Sequence, residues 1–317
     1  MKLEPPGQKA VIHELANEAE KLGLRLYAVG GCVRDWVIGR NSSDIDFLTS
    51  GSAEKLAASL CRLYGGTWQA FEKFHTVRCF TVIGRIDLAR FRKEIYPSPA
   101  SLPQTLPAET LEQDLRRRDF TVNAMAVELT GGSFELTDLY NGLDDIKAGI
   151  VRVLHKDSFF DDPTRIYRAA RFAARFGWQL APETAACAAG AIAAGIPARL
   201  SRERIRNELF KILSDSKPCM AMEILNSMGA LDFIFPKLKP VPQIEKISSR
   251  AAQLAVIASN LDDGAAFIAS LRLSKKESRE IFELSGLSVS RKKHSRGLLK
   301  SVKDINIGKE SQNEKEK

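Results

Sequence analysis

Long apolar runs, cysteine pairs and histidine clusters are all missing from this chain of 317 residues. No stretch approaches the ~20 consecutive apolar residues of a membrane-spanning helix, so no membrane partner is expected. The opening residues, Met1-Lys2-Leu3-Glu4-Pro5-Pro6, hold no apolar leader region, which makes the cytoplasm the expected location. Five cysteines (Cys32, Cys61, Cys79, Cys187, Cys219) are scattered and odd in number, a pattern of reduced thiols rather than of disulfides or a zinc site. Four dispersed histidines argue against a histidine-based metal centre. Neither a repeat nor a coiled-coil heptad is present.

What is present begins with arginine. Basic residues outnumber acidic ones, 47 to 39, for a formal charge of +8. The excess is compatible with a nucleic-acid partner without requiring one. Arginines concentrate at 116–118, 165–175, 199–206 and 291–296. Clusters set beside apolar residues suit phosphate or base recognition better than a merely solvated face, although a structural role is the competing account.

The densest signal lies between Gly30 and Phe47. It runs Gly30-Gly31-Cys32-Val33-Arg34-Asp35 and then Asp44-Ile45-Asp46-Phe47. Side chains two apart in a strand share a face, so an extended Ser43–Leu48 would present Asp44 and Asp46 side by side. Two hard carboxylates suit Mg²⁺, which also takes waters and substrate phosphates. The glycines let backbone N–H groups approach a phosphate, and Arg34 can add a planar donor fork. Phosphoryl transfer from a nucleoside triphosphate is the chemistry these parts suggest. Either half alone is weak, because Asp-x-Asp occurs on ordinary strand ends and Gly-Gly in ordinary turns. Asp35, at a helix start, reads more readily as a cap.

The surrounding pattern predicts an amphipathic helix over 8–22, a strand–turn–helix–strand unit over 24–50, and a helix over 53–64 stopped by Gly65-Gly66. Strands are expected at Val77–Ile83, Arg85–Phe91 and Phe134–Leu139. Between them, Glu94–Gln113 carries Pro97, Pro99, Pro103 and Pro107, which excludes a regular helix or a central strand. It reads as a mobile loop over the site or as a plain insertion. From Ser158 onward the chain turns helical, with segments at 181–194, 203–213, 218–228, 250–259 and 275–284. Asp304–Lys317 is polar and charged and is expected to be disordered.

Five ordered blocks resemble the class II tRNA nucleotidyltransferases and bacterial poly(A) polymerases, of the polymerase-beta-like superfamily. Gly30–Phe47 resembles the family's nucleotidyltransferase signature, and Asp114–Ala124 its ribose-selecting motif. Asp138-Leu139-Tyr140-Asn141-Gly142, with Asp145, Gly149 and Arg152, resembles the hinge between head and neck. Asp161–Phe172 looks like the base-selecting helix, and Ser201-Arg202-Glu203-Arg204-Ile205 with Glu208-Leu209 the motif bracing it. The resemblance implies an α+β fold: a polymerase-beta-like head (a small mixed sheet with helices) over 8–140, then an all-helical neck over 141–215 and body over 216–302, with a disordered tail over 303–317. It implies that Asp44 and Asp46 hold two Mg²⁺ ions and that Gly31 and Arg34 cradle the β- and γ-phosphates. Arg118, Asp119 and Asn123 would contact the triphosphate and the ribose 2′-hydroxyl. Asp162 and Arg165 would pair with the edge of C or A, with Arg168 and Arg171 on the same helix contacting the nucleotide. The competing account of that helix is an amphipathic one with salt-bridged arginines, and both can hold on opposite faces.

The implied partners are the tRNA 3′ end, ATP and CTP; the oligomeric state is left open. Arg92–Tyr96 with Pro99, Leu102 and Pro103 resembles the mobile-loop segment of CCA- and A-adding members, which disfavours a CC-adding enzyme. Phe71–Thr76 fits the tRNA enzymes better than poly(A) polymerases. CCA addition therefore leads, A-addition alone follows, and poly(A) synthesis is third. A catalytically inactive RNA-binding paralogue would be expected to lack a metal carboxylate, yet both are present. Two departures stand out: Asp161 replaces the family's usual glutamate, and only about 104 residues follow Leu213, fewer than many members carry for gripping tRNA.

Overall fold

Leu26–Val29 is apolar throughout and buried at every position, as a strand covered on both faces must be. In the computed structural model, which describes residues 1–7, 9–42 and 44–287, it lies inside a seven-stranded sheet. The strands are β1 (Leu26–Val29), β2 (Asp46–Thr49), β3 (Thr67–Phe71), β4 (Thr76–Thr81) and β5 (Gly84–Arg90), with β8 (Met125–Glu128) and β9 (Leu136–Asp138) after an intervening ribbon. Their order is β3-β4-β5-β2-β1-β8-β9, antiparallel except between β2 and β5. Helices α1 (Lys9–Lys21) and α3 (Ala53–Tyr64) cover one face; Ile12, Leu15, Leu56 and Leu60 pack there against Leu26, Phe47, Cys79 and Leu88. Between β1 and β2 runs α2 (Gly31–Val37). The expected small mixed sheet with helices is therefore present. Thr67–Phe71 and Met125–Glu128 are strands that the pattern does not signal: the first is largely exposed and the second is short.

The proline-rich segment differs from expectation. Instead of a free loop, β6 (Arg92–Ile95) and β7 (Gln104–Pro107) pair as an antiparallel ribbon, followed by α4 (Leu111–Arg116) under a Thr110 cap. Three of the prolines, Pro97, Pro99 and Pro103, fall in the connecting turn, and the two-stranded ribbon has no central strand for Pro107 to disrupt. Arg92 and Thr105 donate to the carbonyls of Phe74 and Lys73, and the Ala100 N–H donates to the Phe160 carbonyl at 3.0 Å. The ribbon is tied at its base and at its tip.

The rest is helical apart from a two-residue parallel pair, β10 (Ile150–Val151) with β11 (Gln179–Leu180). The helices are α5 (Gly142–Ala148), α6 (Ser158–Asp161), α7 (Thr164–Phe176), α8 (Pro182–Ala193), α9 (Arg202–Leu213), α10 (Pro218–Ser227), α11 (Arg250–Ser259), α12 (Gly264–Ser270) and α13 (Lys275–Ser285). They share a second core containing Tyr167, Leu209, Ile212, Met222, Leu225, Leu254 and Phe267. Phe120 and Val122, which precede β8, insert into that helical core, and Phe120 meets Phe172 edge-on at 5.7 Å. The segment carrying Asp114–Asn123 is thus gripped from both sides. No helix among the described residues is long and apolar enough to cross a membrane. The basic cluster at 291–296, the last part of the expected body and the tail over 303–317 lie outside the described residues.

Candidate active site

Asp46 opens β2 and Asp44 stands just before it, so regular strand begins at the second carboxylate rather than before the first. The in–out alternation nevertheless already runs from Asp44: both aspartates are exposed, and Ile45 and Phe47 between and after them are buried. Parallel pairing sets Asp87 of β5 in register with Asp46, which puts a third carboxylate on the same strand pair. Asp87 is held by Arg78 at 2.6 Å and Arg85 at 3.0 Å. Neither Asp44 nor Asp46 forms an ion pair among the described residues. One side of Asp46 is crowded by protein; that partial dehydration raises its pKa, Arg118 opposes the rise, and Asp87 and Asp44 reinforce it.

Facing this strand end is a chain of polar contacts built from three segments. Gly30 takes a positive φ of 79°, and a Cβ there would stand 2.7 Å from Arg118 Nη1, so the turn needs glycine for both reasons. Gly31 is the first residue of α2. Arg34, 4% exposed, donates to Asp35 through Nε and Nη2 and to Asn123 Oδ1 through Nη1 at 2.6 Å. Asn123 Nδ2 in turn donates to Asp119 Oδ1 at 2.9 Å, and Arg168 Nε donates to Asp119 Oδ2 at 2.8 Å. Burial works to raise the pKa of Asp119, but Arg168, the Asn123 hydrogen bond and Arg165 outweigh it and hold it at about 2. Arg34 therefore commits its donors to this network, and a phosphate would have to compete with Asp35 and Asn123 for them.

Arg118 is placed by Asp114, a fully buried carboxylate that also binds Arg117 and the backbone N–H of Arg92. Burial favours the neutral form of Asp114, yet the two arginines keep its pKa below the ordinary value. Arg118 Nε is buried with no hydrogen-bond partner among the described residues. An orphaned guanidinium N–H beside a carboxylate pair is the donor that an incoming anion would satisfy.

At the start of α7, Asp162 Oδ1 accepts from the Thr164 N–H at 3.0 Å, from the Thr164 hydroxyl at 2.6 Å and from Arg204 Nη2 at 2.6 Å. Its Oδ2 accepts nothing among the described residues. Arg165 donates to Ser158 Oγ at 2.7 Å and the Arg117 carbonyl at 2.8 Å, and reaches the Tyr96 hydroxyl at 3.5 Å. Arg171 lies further along the helix toward Asp215 at 3.5 Å, and its Nε lacks a hydrogen bond among the described residues. Of the residues singled out in the sequence, Arg34, Asp119, Asn123 and Arg168 form one bonded network. Asp162 and Arg165 form a second, adjoining station, and Asp44 and Asp46 a third. Asp87, Asp114 and Arg204 join the site without having been singled out by the sequence pattern. Asp114 and Arg204 were visible inside quoted motifs, whereas Asp87 becomes relevant only through the β2–β5 register.

Such a carboxylate pair beside an arginine-lined seam between a mixed-sheet head and a helical neck defines a nucleotidyltransferase-like class. Residues 26–152 match the poly A polymerase head domain, and 189–241 match the probable RNA and SrmB-binding site of polymerase A. The A-adding tRNA nucleotidyltransferase of Geobacter sulfurreducens is 35% identical over 235 residues, covering 74% of this chain and 27% of that protein. The multifunctional CCA protein of Nitrosococcus oceani is 38% identical over 218 residues, covering 68% of this chain and 51% of that one. A solved CCA-adding enzyme, in its apo form II, superposes with a TM-score of 0.72 at 30% identity, covering 96% of this chain and 72% of the other. The chain belongs to the poly(A) polymerase and tRNA nucleotidyltransferase family. It spans about a quarter to a half of the length of these two curated relatives.

Proposed function

We propose that this chain is an RNA nucleotidyltransferase that builds the CCA end of tRNA without a nucleic-acid template, from CTP and ATP. The observation that carries it is the open Asp44–Asp46 pair set beside Arg118, whose Nε is buried and unpartnered. In the reaction the RNA 3′-oxygen bonds to the α-phosphorus, the bond to the bridging oxygen of the β-phosphate breaks, and diphosphate leaves with the 3′-hydroxyl proton lost to solvent. The family generally uses divalent metal ions, and two unpaired, exposed carboxylates fit Mg²⁺ in donor type. Bound there, Mg²⁺ would supply Lewis-acid activation and charge neutralisation. Arg118 orients the triphosphate. The ribose 2′-hydroxyl would be read by Asp119 and Asn123, which would have to exchange part of their mutual hydrogen bond for it. The free Oδ2 of Asp162 presents an acceptor to a base edge, and Arg165, one turn on, would supply the donor by turning from Ser158 or Tyr96, so that the pair stands in for a template strand.

A-addition alone is the second reading, favoured by the Geobacter relative's name and 35% identity. Three tRNA transcripts, ending before the CCA, after the first C and after CC, distinguish the two when each is given CTP, ATP or both with Mg²⁺. Extension of all three to CCA is the expected result. Extension of only the last, by one A, makes the chain an A-adding specialist, long A-tracts a poly(A) polymerase, and no extension an inactive paralogue.

A further inference from the structure

Where the end of α7 meets the loop after α2, five arginines gather around two rings. Arg34 lies 5.2 Å from the centre of Phe172 and 4.7 Å from that of Phe176; Arg168 and Arg171 also stand over Phe172. Arg40 and Arg175 flank Phe176 at 5.5 and 5.3 Å, and Phe176 stacks on Trp178 at 4.5 Å. Carboxylates are fewer. Asp35 is taken by Arg34 and Asp119 by Arg168, while Asp215 is shared at long range, 3.5 Å from Arg171 and 3.8 Å from Arg175. Glu208 is occupied by Lys211 at 2.6 Å. Arg40 is exposed and forms no ion pair among the described residues; Arg175 is 39% exposed. The seam thus carries cations in excess, and its two most accessible ones have no part in the nucleotide contacts described above.

A guanidinium lying over a ring keeps its face desolvated and held while its N–H edge stays open to an anion. Two such groups on one ring make a fixed donor platform. We propose that Arg40 and Arg175, mounted on Phe176, dock the phosphate backbone of the RNA strand whose 3′ end enters the cleft; this rests on the RNA reading above. Two positional facts favour a strand over a nucleotide. Arg175 lies seven residues beyond Arg168, about 10 Å along α7, so a nucleotide with its ribose at Asp119 leaves this platform to a longer polyanion. Arg40 lies four residues before Asp44 on the same connection, so a phosphate held there sits on the segment that leads into the carboxylate pair. A purely structural account also exists, since cations stabilise a helix C-terminus, and it predicts a different outcome.

The test is the full chain carrying Arg40→Gln with Arg175→Gln, probed with a labelled tRNA transcript ending before its CCA. Binding is measured across a salt series, and KM is measured separately for RNA and for CTP. RNA affinity is expected to fall on the order of tenfold, and the slope of log K against log salt to shrink by about one per arginine. KM for RNA rises and KM for CTP stays put. Phe176→Leu, which keeps both charges but removes the ring, is expected to give an intermediate loss. Unchanged RNA affinity and slope overturn the docking point, as does a rise confined to the KM for CTP, which assigns the pair to the triphosphate. If the double variant melts early, Arg40→Gln alone decides, because that exposed side chain has no ion pair to lose. An unaltered chain that shows no salt-dependent RNA binding overturns the RNA reading together with this one.

Discussion

At the scale of single residues, charge placement governs both chemistry and stability. Asp44 and Asp46 are exposed and unpaired, so replacing either by Ala removes no protein contact that holds the fold. Asp44→Ala or Asp46→Ala is expected to lower nucleotide incorporation by several orders of magnitude while the melting temperature and RNA binding stay close to those of the unaltered chain. Removing divalent metal with a chelator should reproduce that loss, and added Mg²⁺ should restore it; full activity in the chelated protein would sink the metal assignment. Asp119 behaves differently because it is buried and bonded. Its pKa of about 2 lies below the ordinary aspartate value. Ionised Asp119 therefore contributes fully to stability above about pH 4, and that contribution is lost as pH falls through about 2. The contribution is on the order of 2 kcal/mol. Urea melts should show Asp119→Asn less stable near neutrality, with the gap to the unaltered chain narrowing toward acid pH. A gap that stays constant would show that the charge of Asp119 is not what stabilises the seam.

At the scale of elements, α9 controls a segment far from it in sequence. Arg204 donates to the Ala100 carbonyl at the ribbon tip at 2.8 Å and to Asp162 at 2.6 Å. One side chain therefore ties the ribbon to the start of α7. Arg204→Ala should cost about 1–3 kcal/mol for the lost charged hydrogen bonds. Hydrogen exchange over residues 96–103 should speed up more than in the sheet, and the preference for the correct base should weaken as Asp162 loses its orienting partner. Unchanged exchange at the tip would mean that the Ala100–Phe160 backbone bond alone holds it. Prolines had marked this stretch correctly as neither helix nor central strand up to the tip. They do not reveal where the ribbon is anchored, because the carbonyls of Lys73 and Phe74 that bind it lie far from it in sequence.

At the scale of the whole molecule, two apolar cores meet across a polar seam. The sheet and α1 and α3 enclose one, and α7 to α13 enclose the other. Phe120, Val122 and Ala100 cross over, and charged groups add to them: Arg168 bonds Asp119, and Arg165 the Arg117 carbonyl. Calorimetry on the unaltered chain should show a single cooperative transition. Arg168→Ala leaves Asp119 buried without its main cation and should broaden or split that transition, with the van't Hoff enthalpy falling below the calorimetric one. A transition that stays two-state would show that the Phe120 and Val122 insertion suffices to couple the halves.

Local pattern alone determined the amphipathic helices, the alternation around Asp44 and Asp46, the glycine turn before α2 and the reduced state expected of five scattered cysteines. Each follows from forces acting over a few neighbouring residues, namely side-chain period, backbone steric limits and the spacing of like groups. Tertiary structure alone decided which groups meet. Asp87 joins Asp46 only because β2 and β5 run parallel in one register, and Asp119 is acidic because an arginine 49 positions away reaches it. Arg34, from the sequence a free phosphate fork, is instead stacked on Phe172 and Phe176 and bonded to Asn123. Pairings across such separations depend on how sheet and helices pack, and no window of sequence holds both partners at once.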